Sequence, residues 1–263
     1  MSLCNQHGPY FHRETSGVVS SPNKKFDNVH VVNIPQQSPS VLDRVQIRHV
    51  HKEEVDSNTL ERTVESPHSL MVLKIDPNYG KIDLEIYAKY VSWTGHNYFS
   101  QGVNYYRLLA YLSSQLPPGS LVVDLGTNLG HSAIALASNS SIKVLTYDIV
   151  DLVPKSVISS YRALSNIQSI IADGCKDVEH YLEAKLIFLD VDPHDGIQES
   201  NFFALLTKQK FRGIVVLDDI HHPPMKPFWN SITQKKYDIS YYGHGTGTGL
   251  AVFDPTQIDV KIS

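Results

Sequence analysis

Two acidic clusters and the histidines beside them carry the most chemistry in this sequence. Asp190 closes the apolar run Leu186-Ile187-Phe188-Leu189, and Asp192-Pro193-His194-Asp195-Gly196 follows one residue later. Asp218-Asp219 closes a second such run, Gly213-Ile214-Val215-Val216-Leu217, with Ile220-His221-His222 after it. If the two runs are neighbouring strands, Asp190, Asp218 and Asp219 meet. Three converging carboxylates repel one another unless a cation lies among them. Oxygen donors at an open site suit Mg²⁺ or Mn²⁺. A hydroxyl bound to such an ion loses its proton more easily, and a nearby base can take that proton. His194 is the leading base, with Asp190 and Asp192 sharing the catalytic assignment. Asp195, His221 and His222 are its rivals. No cysteine neighbours the His221-His222 pair, so a zinc site is not indicated.

These residues need a scaffold that brings strand ends together. The chain supplies it from Gly102 onward. Tyr105, Leu108, Leu109, Tyr111 and Leu112 recur at near-helical spacing, and Pro117-Pro118-Gly119 stops that helix. Apolar runs then alternate with helical patterns. Strands are expected at 121–125, 142–148, 167–173, 186–190 and 213–219, and helices after the second glycine of the first loop and over 151–163, 176–181, 198–209 and 225–232. The runs at 237–242 and 250–253, joined by Gly243-His244-Gly245-Thr246-Gly247-Thr248-Gly249, read as an antiparallel hairpin. The hairpin loop is expected to be flexible and near the acceptor. The fold class is therefore α/β: a Rossmann-like, seven-stranded, mostly parallel sheet with a C-terminal antiparallel hairpin and an N-terminal extension. In such a sheet the ligand lies outside the carboxyl ends of the strands. Asp124, Asp148, Asp173, Asp190 and Asp218 all fall at expected strand ends, so one crevice should gather them.

The loop after the first core strand reads Asp124-Leu125-Gly126-Thr127-Asn128-Leu129-Gly130-His131-Ser132. An acid leads it, and its glycines are four apart. A pyrophosphate prefers close backbone approach with no carboxylate beside it. A leading acid suits a ligand bearing an ammonium group instead. Asp148, 24 residues beyond Asp124, stands where an acid accepts both ribose hydroxyls. Asp173 is placed to receive an adenine amino group. Together these features favour S-adenosylmethionine over a nicotinamide dinucleotide. Asp124, Gly126, Thr127, Asn128, Gly130, Ser132, Asp148 and Asp173 form the expected cofactor site. Tyr106 joins them because its helix begins near the same sheet edge.

On the D-x-G-x-x-x-G loop at Asp124, Gly126 and Gly130, the acid at Asp148 and the closing hairpin, the stretch 120–253 resembles a class I S-adenosylmethionine-dependent methyltransferase. Three phrases, Tyr105 to Leu112, Asp192 to Gly196 and Asp218-Asp219-Ile220-His221, resemble a subgroup found among viral and bacterial surface-glycan genes. That resemblance implies methylation of sugar hydroxyls. The acids also resemble the metal site of catechol O-methyltransferase-like enzymes, which use Asp after strand four and Asp-Asn after strand five. Here Asp219 replaces the Asn, and Pro193 stands where those enzymes place a catalytic lysine. The resemblance thus implies O-methyl transfer from S-adenosylmethionine to a sugar or glycan hydroxyl, assisted by Mg²⁺ or Mn²⁺.

Composition sets the outer limits. The 263 residues suffice for one α/β domain with an extension. Residues 1–25 read as a flexible tail, 26–95 as an accessory region with one or two strands, one of them at Val29–Ile34, and short helices, and 96–263 as the methyltransferase domain. Against 27 Asp and Glu stand 23 Lys and Arg, which disfavours nonspecific nucleic-acid binding. The two cysteines, Cys4 and Cys175, lie far apart, so a reducing, cytoplasmic setting is expected. Neither a signal peptide nor a membrane span is expected. Trp93, Tyr98 and Phe99 are candidates to stack on a sugar or cover the cofactor. Phe228 and Trp229 read as core. Two rival functions are metal-independent methylation of a phenolic molecule, with His194 alone as base, and a non-catalytic scaffold in glycan assembly.

Overall fold

The computed structural model describes residues 70–263 except Val103 and Val157. The expected tail and the expected strand at Val29–Ile34 lie outside the described residues. The described chain begins with β1 (Met71–Ile75), two 3₁₀ turns (Pro77–Lys81 and Glu85–Tyr90), α1 (Trp93–Ser100) and α2 (Asn104–Ser114). The alternating part follows as β2 (Leu121–Leu125), α3 (His131–Ala137), β3 (Lys143–Asp148), α4 (Ile158–Arg162) and β4 (Ile167–Ile171). After short 3₁₀ turns come β5 (Leu186–Leu189), α5 (Ile197–Lys208), β6 (Ile214–Leu217) and α6 (Lys226–Ser231). The chain closes with β7 (Lys235–Asp238), β8 (Gly249–Val252) and β9 (Ile258–Ile262).

Seven strands form one sheet in the order β4-β3-β2-β5-β6-β8-β7. The first five pair in parallel, and β8 runs antiparallel to both β6 and β7. This is the expected architecture, with β8 inserted between β6 and β7. The strand order reverses between β2 and β5, which makes that junction the ligand-binding switch point.

A parallel sheet is covered on both faces, and the strand sequences show it: every residue of β5 and β6 is buried. Alternate side chains enter opposite cores. Phe188 and Val216 pack with Leu108, Leu109 and Ile134 on the α2–α3 face. Ile187, Leu189 and Val215 pack with Phe202, Leu206 and Phe228 on the other. All seven residues of α3 are buried, so it lies sandwiched and not at the surface.

Several local expectations are corrected. The helix expected over 151–163 is only Ile158–Arg162; Pro154, with Asp151, Val153 and Ser156 around it, leaves the earlier part with little helix-favouring sequence. The expected helix at 176–181 is two 3₁₀ turns, Gly174–Lys176 and Val178–His180. The seventh strand stops at Asp238, whose carboxylate turns the chain by accepting from the Ser240 backbone N–H at 3.1 Å. Helix α1 lies outside the expected elements; Ser92 caps it by accepting from the Gly95 N–H. A two-stranded parallel sheet between β1 and β9 is likewise additional to them. Leu73 and Ile75 of β1 are fully buried and belong to the same core as α2 and α3. No helix among the described residues is long and apolar enough to cross a membrane.

Candidate active site

A cleft of about 420 Å³ opens at the carboxyl ends of β2, β3 and β5. Its walls include Gly126, Asn128, Asp148, Asp173, Asp190, Asp192 and His194. The parallel register sets Leu125 opposite Leu189, so the residues that follow, Gly126 and Asp190, are pressed together. A Cβ on Gly126 would lie 1.7 Å from the Asp190 carbonyl oxygen, and Gly126 has φ +101°. Only glycine fits there. Asn128 also takes positive φ, at 44°. Its N–H donates to Asp148 Oδ2 at 2.8 Å, while Asp148 Oδ1 accepts from the Val150 N–H at 3.1 Å. The Asp148 carboxylate therefore fixes both loops at the cleft entrance. Ile149, Val150, Leu152 and Ile171 beside this entrance are all exposed. An apolar lip around a polar floor suits a flat, partly apolar ligand. Asp173 lines the cleft and pairs with Lys176 at 2.6 Å.

Asp124 sits beneath the floor instead of on it. It is fully buried, and its Oδ2 accepts from Thr146 at 2.6 Å. Thr127 Oγ1 is 2.5 Å from that same Thr146 hydroxyl, so Thr127 donates inward. Burial raises Asp124 to about 7, against the lowering effect of the Thr146 hydrogen bond and the nearby Ser132 hydroxyl. Its Oδ1 has no partner among the described residues. Thr127 and Ser132 are both buried beside Asp124, on its supports rather than on the walls of this cleft.

The acid-histidine cluster adjoins the cleft. His194, at φ 54°, points Nε2 toward Asp190 Oδ1 and Asp192 Oδ1, each 3.6 Å away. Its Nδ1 is 3.6 Å from Asp219 Oδ2. One imidazole thus bridges the loops after β5 and β6. Burial, followed by the Asp218 and Asp219 carboxylates, pushes Asp190 well above the usual carboxylate range. Burial also raises Asp218 to about 6, against the pull of His244. On Asp219 the balance is reversed: burial is outweighed by the nearby His244 imidazole and by the hydrogen bond from Thr246, and the group is held low.

His244 was not among the residues singled out as a ligand or a base. The register explains its arrival: Leu217 pairs with Gly249, so the residues before Gly249 lie beside those after Leu217. The pairing continues past the strands, with His221 N donating to Thr246 O at 2.8 Å and Ile220 N to Gly247 O at 3.2 Å. The glycine-rich loop, expected to be flexible, is therefore pinned. His244 Nδ1 stands 3.6 Å from Asp218 Oδ1 and 3.7 Å from Asp219 Oδ1. Asp218, Asp219 and His244 each offer a donor atom, all within 4.8 Å of one another. Asp190 lies outside that group of three and reaches the cluster through His194. His221 pairs instead with Asp238 at 2.7 Å. Asp195 caps α5 by accepting from the Ile197 N–H at 2.8 Å.

Aromatic side chains wall the cluster. Tyr106 does not line the cleft; its ring packs 5.4 to 5.9 Å from Tyr105, Phe99, Tyr98 and His131. Tyr98 remains exposed, whereas Phe99 is buried core. The Trp93 side chain lies outside the described set. Phe228 is buried as expected. His131, which the sequence reading passed over, is buried among these rings and its pKa falls to about 4. It directly follows Gly130 of the loop, and that adjacency was its only sequence signal.

No family model matches the chain, and no curated protein matches it. Solved structures similar to it include the CurJ carbon methyltransferase, at 12% identity and TM-score 0.44, covering 65% of this chain and 58% of that one. A methyltransferase from Geobacter sulfurreducens is 16% identical at TM-score 0.42, with 56% and 77% covered. The N-methyltransferase NodS from Bradyrhizobium japonicum WM9 is 13% identical at TM-score 0.37, with 56% and 91% covered. Likenesses this distant carry no function. The fold stands on the strand order.

Proposed function

We propose that this protein is an S-adenosylmethionine-dependent O-methyltransferase that acts on a sugar or glycan hydroxyl with the help of a divalent cation. The observation that carries the reading is the switch-point cleft, where Gly126 is pressed onto Asp190 and Asp148 fixes the entrance. The cofactor fits the residues present. Asp148 would hold its ribose hydroxyls, Asp173 its adenine amino group, and the Gly126–Asn128 backbone its sulfonium-bearing arm.

When bound, S-adenosylmethionine supplies an electrophilic methyl group and the cation supplies a Lewis acid that eases loss of the acceptor proton. The chain's own work is orientation and proton transfer. Asp218 and Asp219 hold the cation side, and the buried, unpartnered Asp218 Oδ1 supports that assignment. His194 is placed to accept the hydroxyl proton at Nε2, with Asp190 Oδ1 and Asp192 Oδ1 each 3.6 Å from that nitrogen. Asp219 orients the ring from the Nδ1 side. Methyl transfer is an in-line displacement, so alignment of acceptor and donor supplies much of the rate. Tyr98, exposed and stacked 5.9 Å from the Tyr106 ring, suits stacking on a sugar face. The acidic balance of the chain favours a neutral or cationic acceptor over nucleic acid, and the assigned setting is cytoplasmic.

The test is incubation with methyl-labelled donor and a saccharide panel, followed by linkage analysis of any labelled product. Label on a sugar oxygen, lost with chelator or in Asp218→Ala, is the expected result. Label on nitrogen or carbon would refute the O-transfer reading. Activity that survives chelation would refute the cation.

A further inference from the structure

We infer that His244 completes the cation site, so that the bound ion is held by Asp218, Asp219 and His244 and is a first-row transition ion such as Mn²⁺ in preference to Mg²⁺. This deepens the cation part of the proposed function and rests on it, though not on the methyl donor.

Three observations lead there. The donor atoms of Asp218, Asp219 and His244 all lie within 4.8 Å of one another, whereas Asp190 is not in that set. Asp218 is only 7% exposed and its Oδ1 has no partner, yet that same oxygen is the atom 3.6 Å from His244 Nδ1. A buried carboxylate oxygen left unpaired is costly unless something else occupies the space it faces. The Tyr105 hydroxyl is likewise buried and unpartnered, and its ring packs 5.3 Å from the His244 ring. Two independent elements, α2 and the loop after β6, thus carry orphaned buried oxygens on side chains next to one imidazole.

The position of His244 is built and not incidental. Its backbone N–H donates to Thr248 Oγ1 at 2.8 Å, and its carbonyl accepts from the Gly247 N–H at 3.0 Å. Thr246 Oγ1 accepts from His244 Nδ1 at 2.6 Å and donates to Asp219, which ties both groups to one centre; a cation bound there takes the place of that Nδ1 proton. Ligand chemistry then decides the ion. Mg²⁺ prefers an all-oxygen octahedron and keeps much of its water. An imidazole nitrogen favours the later divalent ions of the first transition row, and two carboxylates remain compatible with Mn²⁺.

The probes are Mn²⁺ and Mg²⁺ added separately to full-length protein freed of metal by chelator and dialysis. Affinities are read by titration calorimetry, and Mn²⁺ ligation by pulsed electron paramagnetic resonance. The expected result is Mn²⁺ binding at least roughly tenfold tighter than Mg²⁺, with nitrogen-14 modulation on the Mn²⁺ signal. His244→Ala removes that modulation and weakens Mn²⁺ roughly tenfold or more, since even outer-shell changes cost about 10- to 100-fold. Asp190→Asn retains both the modulation and the affinity. Mn²⁺ bound without nitrogen coupling in the unsubstituted protein overturns the inference whether or not the Ala variant folds. So does equal affinity for the two ions, or no binding of either. Donor binding measured in chelator reports separately on the methyltransferase reading.

Discussion

Replacing Gly126 with alanine should disable the donor cleft while leaving most of the fold intact. The added Cβ would stand 1.7 Å from the Asp190 carbonyl oxygen, whereas real contacts essentially never fall under 3.0 Å. The loops after β2 and β5 must therefore separate by at least about 1.3 Å, because a backbone oxygen cannot rotate aside. The residue would also hold φ +101°, which costs a side-chain-bearing residue about 1–3 kcal/mol. A misplacement of about 1 Å costs about 10²-fold in rate; with both cleft walls displaced here, a loss of the same size, about 100-fold or about 2.8 kcal/mol, is expected in donor affinity. Calorimetry with the demethylated donor reads the affinity, and thermal unfolding reads the fold. Gly80→Ala is the matched control, since a Cβ there meets nothing within 4 Å. If Gly126→Ala binds as tightly as the control and melts at the same temperature, the switch-point assignment is wrong.

Other perturbations report on separate parts of the site. Asp148→Asn removes the charge that accepts from the Asn128 and Val150 amides; donor affinity should fall by about 1.5–3 kcal/mol, and unchanged calorimetric affinity would remove Asp148 from the cofactor site. Asp124 has a folded-state pKa raised to about 7, so its contribution to stability is present below about pH 3.8 and is lost as pH rises toward 7. His131, lowered to about 4, acts oppositely: its contribution is present above about pH 6.5 and is lost as pH falls toward 4. The two trends offset one another in the unsubstituted protein. Asp124→Asn should therefore gain in melting temperature relative to it as pH rises from 4 to 7; a pH-independent difference would show that burial does not control Asp124. Leu109→Ala, at a fully buried position between α2 and the sheet, should cost about 2–5 kcal/mol in denaturant unfolding, and a loss under 1 kcal/mol would contradict the packing described.

What the sequence revealed follows from where its constraints are local. Leu186–Leu189 and Ile214–Leu217 are continuous apolar runs because both faces of the sheet are covered, and that signature survives in one dimension. The Gly126 turn and the acids at Asp148, Asp190 and Asp218 were legible for the same reason. The pairing of β1 with β9 was not, because it joins strands from opposite ends of the described chain. His244 was missed because its role depends on the antiparallel register of Leu217 with Gly249. A glycine-rich loop read alone suggests freedom, and only the neighbouring strand shows that it is tied down. Asp124 was read as a cleft wall because its place at a strand tip was visible. Its orientation into the interior, toward Thr146, depends on the pleat of β2 against β3.

The central claim is that the cleft at the β2–β5 junction holds S-adenosylmethionine. Titration calorimetry of full-length protein with the demethylated donor, in chelator and with NAD as comparison ligand, tests it most directly. The account predicts saturable one-to-one binding of the donor product, no heat from NAD, and loss of the signal in Gly126→Ala. Absence of binding to folded protein, or preferential binding of NAD, would contradict it.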